Sequence, residues 1–161
     1  MMSSSFSSMS PTRTAETAEI AAEVLGGKEI VFDPRLREIG AGVMNGETAA
    51  TYRELFKTPR DKLTRAPEGG ESLLDVKSRL QDFFRETEKK YRGKNIMIVT
   101  HADPAWMMLS MMKGLTEEEM IAQWKHPHGE YLAPAEYEIY EPRPLPLNAK
   151  GEVDLHRPYF D

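Results

Sequence analysis

Hydrophobic residues recur at helical spacing in two well-separated parts of the chain. The clearer stripe begins after Glu71-Ser72 and continues until Gly93, a residue type that commonly ends helices. A second stripe of mostly small residues begins near Thr14 and is ended by Gly26-Gly27. We therefore predict two helices, with apolar faces at Leu73, Val76, Leu80, Phe83 and Phe84, and at Ala18, Ala21, Ala22 and Leu25.

Two further helices are predicted in the second half of the chain. One begins directly after His101, and the other begins near Thr116, where Thr-Glu-Glu-Glu resembles a capping box. Their expected core positions are Trp106, Leu109, Met111, Met112, Met120, Ile121 and Trp124.

Three shorter segments have a β-type pattern. Residues 29–32 form a brief run, and residues 135–141 alternate as an edge strand does. Residues 95–100, with the sequence NIMIVT, are mostly apolar, which is typical of a strand buried on both faces. Because helices alternate with strands, we predict an α/β fold of three layers, with a mostly parallel sheet flanked by helices. Residues 35–70, rich in glycine and proline, are expected to form a functional loop region.

Composition narrows the classes of function. The chain has 161 residues, 40% of them hydrophobic, which suits one soluble domain. A net charge of -5 argues against a nucleic-acid-binding surface, since duplex binding requires Lys and Arg to neutralise phosphates. Cysteine is absent, which excludes disulfides and thiolate chemistry. No apolar run approaches the roughly 20 residues that span a bilayer, and MMSSSFSSMS lacks the pattern of a secretory signal. We expect a cytoplasmic protein without membrane partners.

The strongest chemical candidate is His101, which follows the predicted strand at residues 95–100 and directly precedes a helix. Ligands of open α/β sheets bind beyond the carboxyl ends of the strands, and a helix N-terminus attracts anions. A phosphate site is therefore reasonable at this position. The alternative is a strand-end histidine whose ring is satisfied by a backbone carbonyl.

Two other charged residues lie near bends. Arg13 follows the small-residue segment that contains Ser8 and precedes a helix, and its guanidinium suits bidentate phosphate contact. Glu38 precedes a glycine-rich bend at Gly40, where a carboxylate held in place could act as a general acid or base. Taken segment by segment, the alternatives are a solvated arginine and an exposed glutamate.

The other histidines carry a weaker signal. His126 and His128 flank Pro127, but their spacing differs from that of helical zinc motifs and no third ligand is evident. We predict neither a metal site nor a cofactor.

Four motifs, in this order, resemble the histidine phosphatase (phosphoglycerate-mutase-like) family. A Ser-rich segment and an arginine open the first helix, from Ser8 through Arg13 to Thr17-Ala18. An Asp-x-x-Leu-x-Glu motif ends at Glu38 and is followed by glycines. A Gly-Glu-Ser helix start lies at residues 70–72, and an apolar strand closes in Thr100-His101. The resemblance extends from Ser8 to about Glu141.

This resemblance implies a phosphoglycerate-mutase-like fold and phosphoryl transfer through a phosphohistidine, which divides one difficult displacement into two easier ones. It implies that Arg13 and Ser8 bind the substrate, that Glu38 is the general acid or base, and that His101 contacts the phosphoryl group and stabilises its charge. The expected ligand is a small phosphorylated molecule or inorganic phosphate.

The sequence also departs from the family pattern. The family's nucleophile is the histidine of an Arg-His-Gly motif, and none of the four histidines here lies in such a motif. The glycine that usually follows the family's second histidine is replaced by Ala102-Asp103. We therefore expect an N-terminally incomplete domain that is inactive alone in phosphoryl transfer or phosphate-ester hydrolysis.

Residues 142–161 are predicted to be an extended Pro-rich tail after a domain at residues 1–141. The segment GEVDLHRPYFD resembles isoleucyl-tRNA synthetases, in which a DLHRPY string follows the editing region. This second resemblance implies an alternative function, an accessory or inserted synthetase fragment with a non-catalytic anion-binding role. Its partners would be the rest of that polypeptide and, through it, nucleic acid. A chance match in an extended linker is the competing interpretation.

Overall fold

The computed structural model describes residues 11–91, 94–123, 136–139, 147–152 and 154. Six α-helices lie within these residues, and short 3-10 turns occur at Pro34–Leu36 and Gly42–Met44. None of the helices in this part of the chain has the length and hydropathy needed to cross a bilayer. The helices are α1 (Pro11–Val24), α2 (Ala49–Glu54), α3 (Pro59–Thr64), α4 (Leu73–Lys90), α5 (Ala102–Met112) and α6 (Glu117–Gln123).

Helix α4 lies at the centre of the hydrophobic core. A capping box starts it: Asp75 N donates to Ser72 Oγ at 3.2 Å, and Ser72 N donates to Asp75 Oδ2 at 2.8 Å. The helix packs against α5, α3 and the turn at Pro34–Leu36. All five positions predicted for its apolar face are buried, namely Leu73, Val76, Leu80, Phe83 and Phe84.

Helix α5 supplies the facing side of this core, largely through methionines, whose flexible side chains fill irregular space. The prediction is confirmed for three of its four positions, since Trp106, Met111 and Met112 are buried while Leu109 is half-buried. Leu63 of α3 and Met120 of α6 are fully buried in the same cluster.

The predicted capping box at the start of α6 is also present. Thr116 N donates to Glu119 Oε2 at 2.8 Å, and Glu119 N donates to Thr116 Oγ1 at 3.2 Å. Ile121 is half-buried against the core, and Trp124 lies outside the described residues.

The predicted three-layer sheet is not formed within the described residues. Residues 29–32 and 95–100 have no strand ladder, nor do residues 136–139, the described part of the third segment. Ile96 and Met97 are 47% and 59% exposed, where the pattern predicted burial on both faces. The physical reason is that a local pattern encodes a preference for extended backbone, whereas a strand also needs a neighbour that supplies ladder hydrogen bonds. For these residues the strand prediction is wrong.

Two glycine-rich loops pack backbone against backbone ahead of α4. Val43 N donates to Glu68 O at 2.9 Å, which brings the loop at residues 40–44 onto the loop at residues 68–71. A Cβ atom on Gly42 would lie 2.1 Å from Glu68 O, and one on Gly70 would lie 2.6 Å from Gly40 O. Only glycine permits so close an approach, which explains the glycines in this region.

Replacing Gly42 by alanine is expected to destabilise the protein more than replacing Gly69. Both residues have positive φ, +55° and +66°, so backbone strain is common to both variants. A Cβ on Gly69 would meet nothing within 4 Å, whereas one on Gly42 would collide with backbone. We expect Gly42→Ala to lose about 2 kcal/mol more than Gly69→Ala in urea unfolding. Equal losses would show that the close contact contributes nothing.

Candidate active site

The start of α1, the start of α5 and the loop carrying Glu38 converge on one place. Thr14 Oγ1, in the first turn of α1, lies 3.5 Å from His101 Nε2. On the other side of the ring, His101 Nδ1 lies 3.8 Å from Glu38 Oε2. His101 is the N-cap residue of α5. The structure thus brings together His101 and Glu38, two of the residues predicted for the site from the sequence.

Arg13 lies next to Thr14 in the first turn of α1, with an exposed side chain. Its charge is close enough to depress the pKa of His101. Arg13 is thus at the rim of the same site, whereas Ser8, the other predicted binding residue, lies outside the described residues, as do His126 and His128.

Burial governs the protonation of Glu38. Desolvation raises the pKa of this carboxyl to about 7, and the negative charge of Asp103 adds to the increase. Three opposing influences are smaller: the hydrogen bond from Ile39 N to Glu38 Oε1, at 2.9 Å, and the charges of Lys62 and Arg79. Glu38 therefore exchanges its proton close to neutral pH, as an efficient general acid or base does.

His101 is shifted towards its neutral form. Burial is the largest cause that lowers its pKa, and the cations Arg13 and Arg79 act in the same direction. The 3.8 Å separation from Glu38 is too long for a hydrogen bond. Because burial shifts both pKa values towards the uncharged forms and the separation is long, we do not describe the two residues as an ion pair.

Arg79 of α4 fixes the backbone on which Glu38 lies. Its Nη2 atom donates to Arg37 O at 2.8 Å and to Glu38 O at 3.3 Å, and its Nη1 atom donates to Arg35 O. Its Nε atom donates to Glu71 Oε1 at 3.0 Å. One guanidinium thus connects helix α4 to three backbone carbonyls within residues 35–38.

Glu71 completes this connection from the loop that precedes α4. Its Oε2 atom accepts from Gly40 N at 2.8 Å, and its backbone N–H donates to Gly40 O at 2.8 Å. Its Oε1 atom also accepts from Arg37 Nη2 at 2.7 Å. The Gly-Glu-Ser motif therefore holds the Glu38 loop against α4 through these hydrogen bonds.

A third link joins the Glu38 loop to the segment that leads into His101. Thr100 Oγ1 donates to Leu36 O at 2.6 Å, across 64 residues of sequence. Because Thr100 precedes His101 and Leu36 lies two residues before Glu38, this bond holds the two site residues side by side.

Three polar side chains at the site, those of Lys62, Asp103 and Tyr52, were not predicted as site residues from the sequence. Lys62 Nζ on α3 donates to both carboxylate oxygens of Asp103, at 2.8 and 3.0 Å. The Tyr52 hydroxyl on α2 is buried, and burial followed by nearby negative charges raises its pKa. The one sequence feature that pointed to the Lys62–Asp103 pair was Ala102-Asp103, which replaces the glycine usual in the family.

No group of three or more Asp, Glu or His side chains within the described ranges is arranged to hold a metal ion. The described side chains at the site offer an acid, an imidazole and a neighbouring cation.

Comparison with known proteins agrees with this geometry. A family profile, the histidine phosphatase superfamily (branch 1), matches residues 5–144. The chain belongs to the histidine phosphatase superfamily. The resemblance of the four sequence motifs to histidine phosphatases is thereby confirmed at the level of the superfamily.

Several members of the superfamily are similar to this chain. A probable phosphoglycerate mutase GpmB of Escherichia fergusonii is 30% identical over 109 residues, which are 64% of this chain and 50% of that protein. Among solved structures, Bacillus stearothermophilus YhfR is 27% identical with a TM-score of 0.56, over 76% of this chain and 60% of the other. A mycobacterial glucosyl-3-phosphoglycerate phosphatase in complex with inorganic phosphate is 24% identical with a TM-score of 0.57, over 68% of this chain and 58% of the other.

These relatives support the phosphoglycerate-mutase-like α/β fold class as the fold of the superfamily, although the described residues form no strands. The chain spans about half the length of the curated relatives it matches. The matches give no support to the synthetase interpretation of the C-terminal segment. That interpretation and the expected N-terminal incompleteness stay predictions from the sequence.

Loss of Arg79 is expected to destabilise this superfamily domain strongly. Arg79 and Glu71 are only 10% and 15% exposed, and Arg79→Ala removes a buried donor from the Glu71 carboxylate and from three carbonyl groups. We expect a loss of about 3 kcal/mol in urea unfolding. The matched control is Arg85→Ala on the same helix, whose ion pair with Asp82 is exposed and is worth at most about 0.5 kcal/mol. Similar losses in both variants would contradict the structural role of Arg79.

Glu38 is expected to make stability fall as pH rises. Its pKa is about 7 in the folded chain and 4.5 ordinarily, so the folded state holds the proton more tightly. The stabilisation is complete below pH 4.5 and is lost as pH rises towards 7 and beyond. Relative to the parent, Glu38→Gln should therefore gain roughly 2–3 kcal/mol between pH 4.5 and 7.5 in urea unfolding. Glu54→Gln, at an exposed position, is the control for losing one carboxylate and should run parallel to the parent.

Proposed function

We propose that this chain binds the phosphoryl group of a small phosphate monoester between Arg13 and His101, with Glu38 as the acid or base for the ester oxygen. The observation that carries the proposal is the buried Glu38 carboxyl, which titrates near neutral pH beside the N-cap of α5. Membership of a superfamily of phosphatases and mutases supports the same chemistry.

The anion would be held by two kinds of positive potential. The N-terminal ends of α1 and α5 both lie at the site, and each contributes the positive end of a helix dipole. Arg13 adds a guanidinium with fixed donors at the rim. Ser8 is proposed from the sequence as a further hydroxyl donor to the ligand.

The acid has a defined task in such a reaction. When a phosphate monoester is cleaved, the P–O bond breaks and the leaving oxygen takes up a proton. A glutamic acid with a pKa of about 7 is protonated in a large fraction of molecules at neutral pH and yields its proton readily. His101, in its neutral form, is able to donate one ring N–H to a phosphoryl oxygen.

Covalent turnover needs a nucleophile, and here the chain departs from its relatives. None of its four histidines lies in an Arg-His-Gly motif. We therefore propose that the 161-residue chain binds the phosphoryl group without forming a phosphohistidine. In this bound state the protonated Glu38 carboxyl donates a hydrogen bond to the ester oxygen, and no P–O bond is cleaved by this chain alone. The similarity to probable phosphoglycerate mutases supports a small phosphorylated hydroxy acid as ligand.

Binding of inorganic phosphate and orthovanadate, measured by calorimetry at pH 7, is expected to weaken at least about tenfold in Arg13→Ala and in His101→Ala. Arg53→Ala, which removes an exposed arginine from α2, controls for the loss of one positive charge and should bind as the parent does. Hydrolysis of p-nitrophenyl phosphate should stay at the background rate. Anion affinity unchanged in both site variants would contradict the binding proposal, and robust hydrolysis would contradict the missing nucleophile.

A further inference from the structure

A cavity of about 250 Å³ lies between helix α4 and the turn that leads into α6. Three of the α4 residues that line it are spaced by one and three positions and lie on one face of that helix. Arg79, which holds the Glu38 loop, lies on the opposite side of α4, so the cavity is separate from the proposed phosphate site. The walls include Leu74, Lys77 and Ser78 of α4, together with Leu115 and Glu117.

Lys77 brings a buried amine to this cavity. Only 6% of the residue is exposed, and it belongs to the buried residues of α4 together with Leu73 and Leu80. Burial lowers the pKa of the Lys77 amine, and the charge of Glu117, which acts in the opposite direction, is the smaller influence. A desolvated lysine holds less of its nitrogen in the protonated form, and the unprotonated nitrogen carries the lone pair that attacks electrophiles.

The cavity determines which electrophile reaches this amine. Its volume is that of about eight water molecules, so it admits a short aliphatic compound and excludes a large one. Leu74 and Leu115 are half-buried residues packed against the hydrophobic core, and they offer apolar walls to an alkyl chain. The Glu117 carboxylate favours a positive charge on the lysine nitrogen. An apolar wall, a buried amine and a nearby carboxylate together favour a Schiff base, whose protonated form is a cation.

We propose that Lys77 is a covalent binding site for a small aliphatic aldehyde, which enters the cavity between α4 and α6 and forms a Schiff base with the amine. The nitrogen lone pair adds to the carbonyl carbon, a C–N bond forms, and one amine hydrogen moves to the oxygen to give a carbinolamine. The second amine hydrogen and the hydroxyl group then leave as water, and the C=N bond forms. The reaction consumes one aldehyde, releases one water and needs neither an oxidant nor a reductant.

The test is reductive trapping of the full chain with butyraldehyde and cyanoborohydride at pH 7, followed by peptide mapping by mass spectrometry. Cyanoborohydride converts each imine into a stable secondary amine, so the rate at each lysine is measured separately. Lys89, which is exposed on the same helix, is the internal reference. We expect Lys77 to be labelled at least about fivefold faster than Lys89, because its amine is desolvated and the cavity holds the aldehyde beside it. A rate at Lys77 no higher than that at Lys89 overturns the proposal.

Cavity variants separate the role of the cavity from other causes of reactivity. Ser78 is exposed at the rim, so Ser78→Trp is expected to fold and to fill the entrance, and Ser78→Ala is its matched control. The tryptophan variant should lose the preference for Lys77 over Lys89, whereas the alanine variant should keep it. If circular dichroism shows that Ser78→Trp is unfolded, Gln81→Trp blocks the same cavity from the next turn of α4.

The unfolded chain provides the last comparison. In concentrated urea the cavity is lost, and Lys77 and Lys89 should then react at equal rates. A preference for Lys77 that persists in urea, or in a folded variant with the entrance filled, has its origin in the local sequence and overturns the cavity site. None of these measurements involves phosphate, so their outcome is independent of the function proposed above.

Discussion

The site depends on one buried arginine. Arg79 reaches from the middle of α4 to the carbonyls of the loop that carries Glu38, and Glu71 fixes the guanidinium from the loop before the same helix. A loop without secondary structure of its own would otherwise have no reason to hold a carboxyl inside the protein. Because the guanidinium donates in a fixed fork, the position of the loop is set by α4, which is itself set by the hydrophobic core. The packing of the hydrophobic core therefore also sets the position of the Glu38 carboxyl.

The elements that could be predicted from the sequence are those encoded by residues close together in the chain. The apolar stripe of α4, the stripe of α5 except for Leu109, and the capping box at Thr116 depend on residues within a few positions of one another. The strand predictions were wrong for the described residues, because the run at residues 95–100 specifies extended backbone but not the neighbour that would pair with it. The same limit applies within the site. Ordered motifs were enough to bring His101 to Glu38, but nothing in the local pattern linked Lys62 to Asp103 across 41 residues.

Burial shifts the pKa values of Glu38 and His101 in opposite directions, because one side chain is an acid and the other is a base. Desolvation disfavours the charged form of each, so it raises the pKa of the carboxyl and lowers the pKa of the imidazole. Both shifts reduce the charge that the two residues carry among Arg13, Arg79, Lys62 and Asp103. A weakly charged pair between two helix N-termini cancels little of their positive potential, which favours the phosphate ligand proposed above.

The acid and the covalent nucleophile are separable parts of the superfamily's chemistry. Everything that positions Glu38 lies within the described residues: Arg79, Glu71, the Thr100 hydroxyl and the backbone contact at Gly40. None of these contacts involves the Arg-His-Gly histidine, which the sequence does not contain. The position of Glu38 is therefore set by contacts that are independent of that nucleophile, which is why phosphate recognition and phosphoryl transfer are proposed separately for this chain.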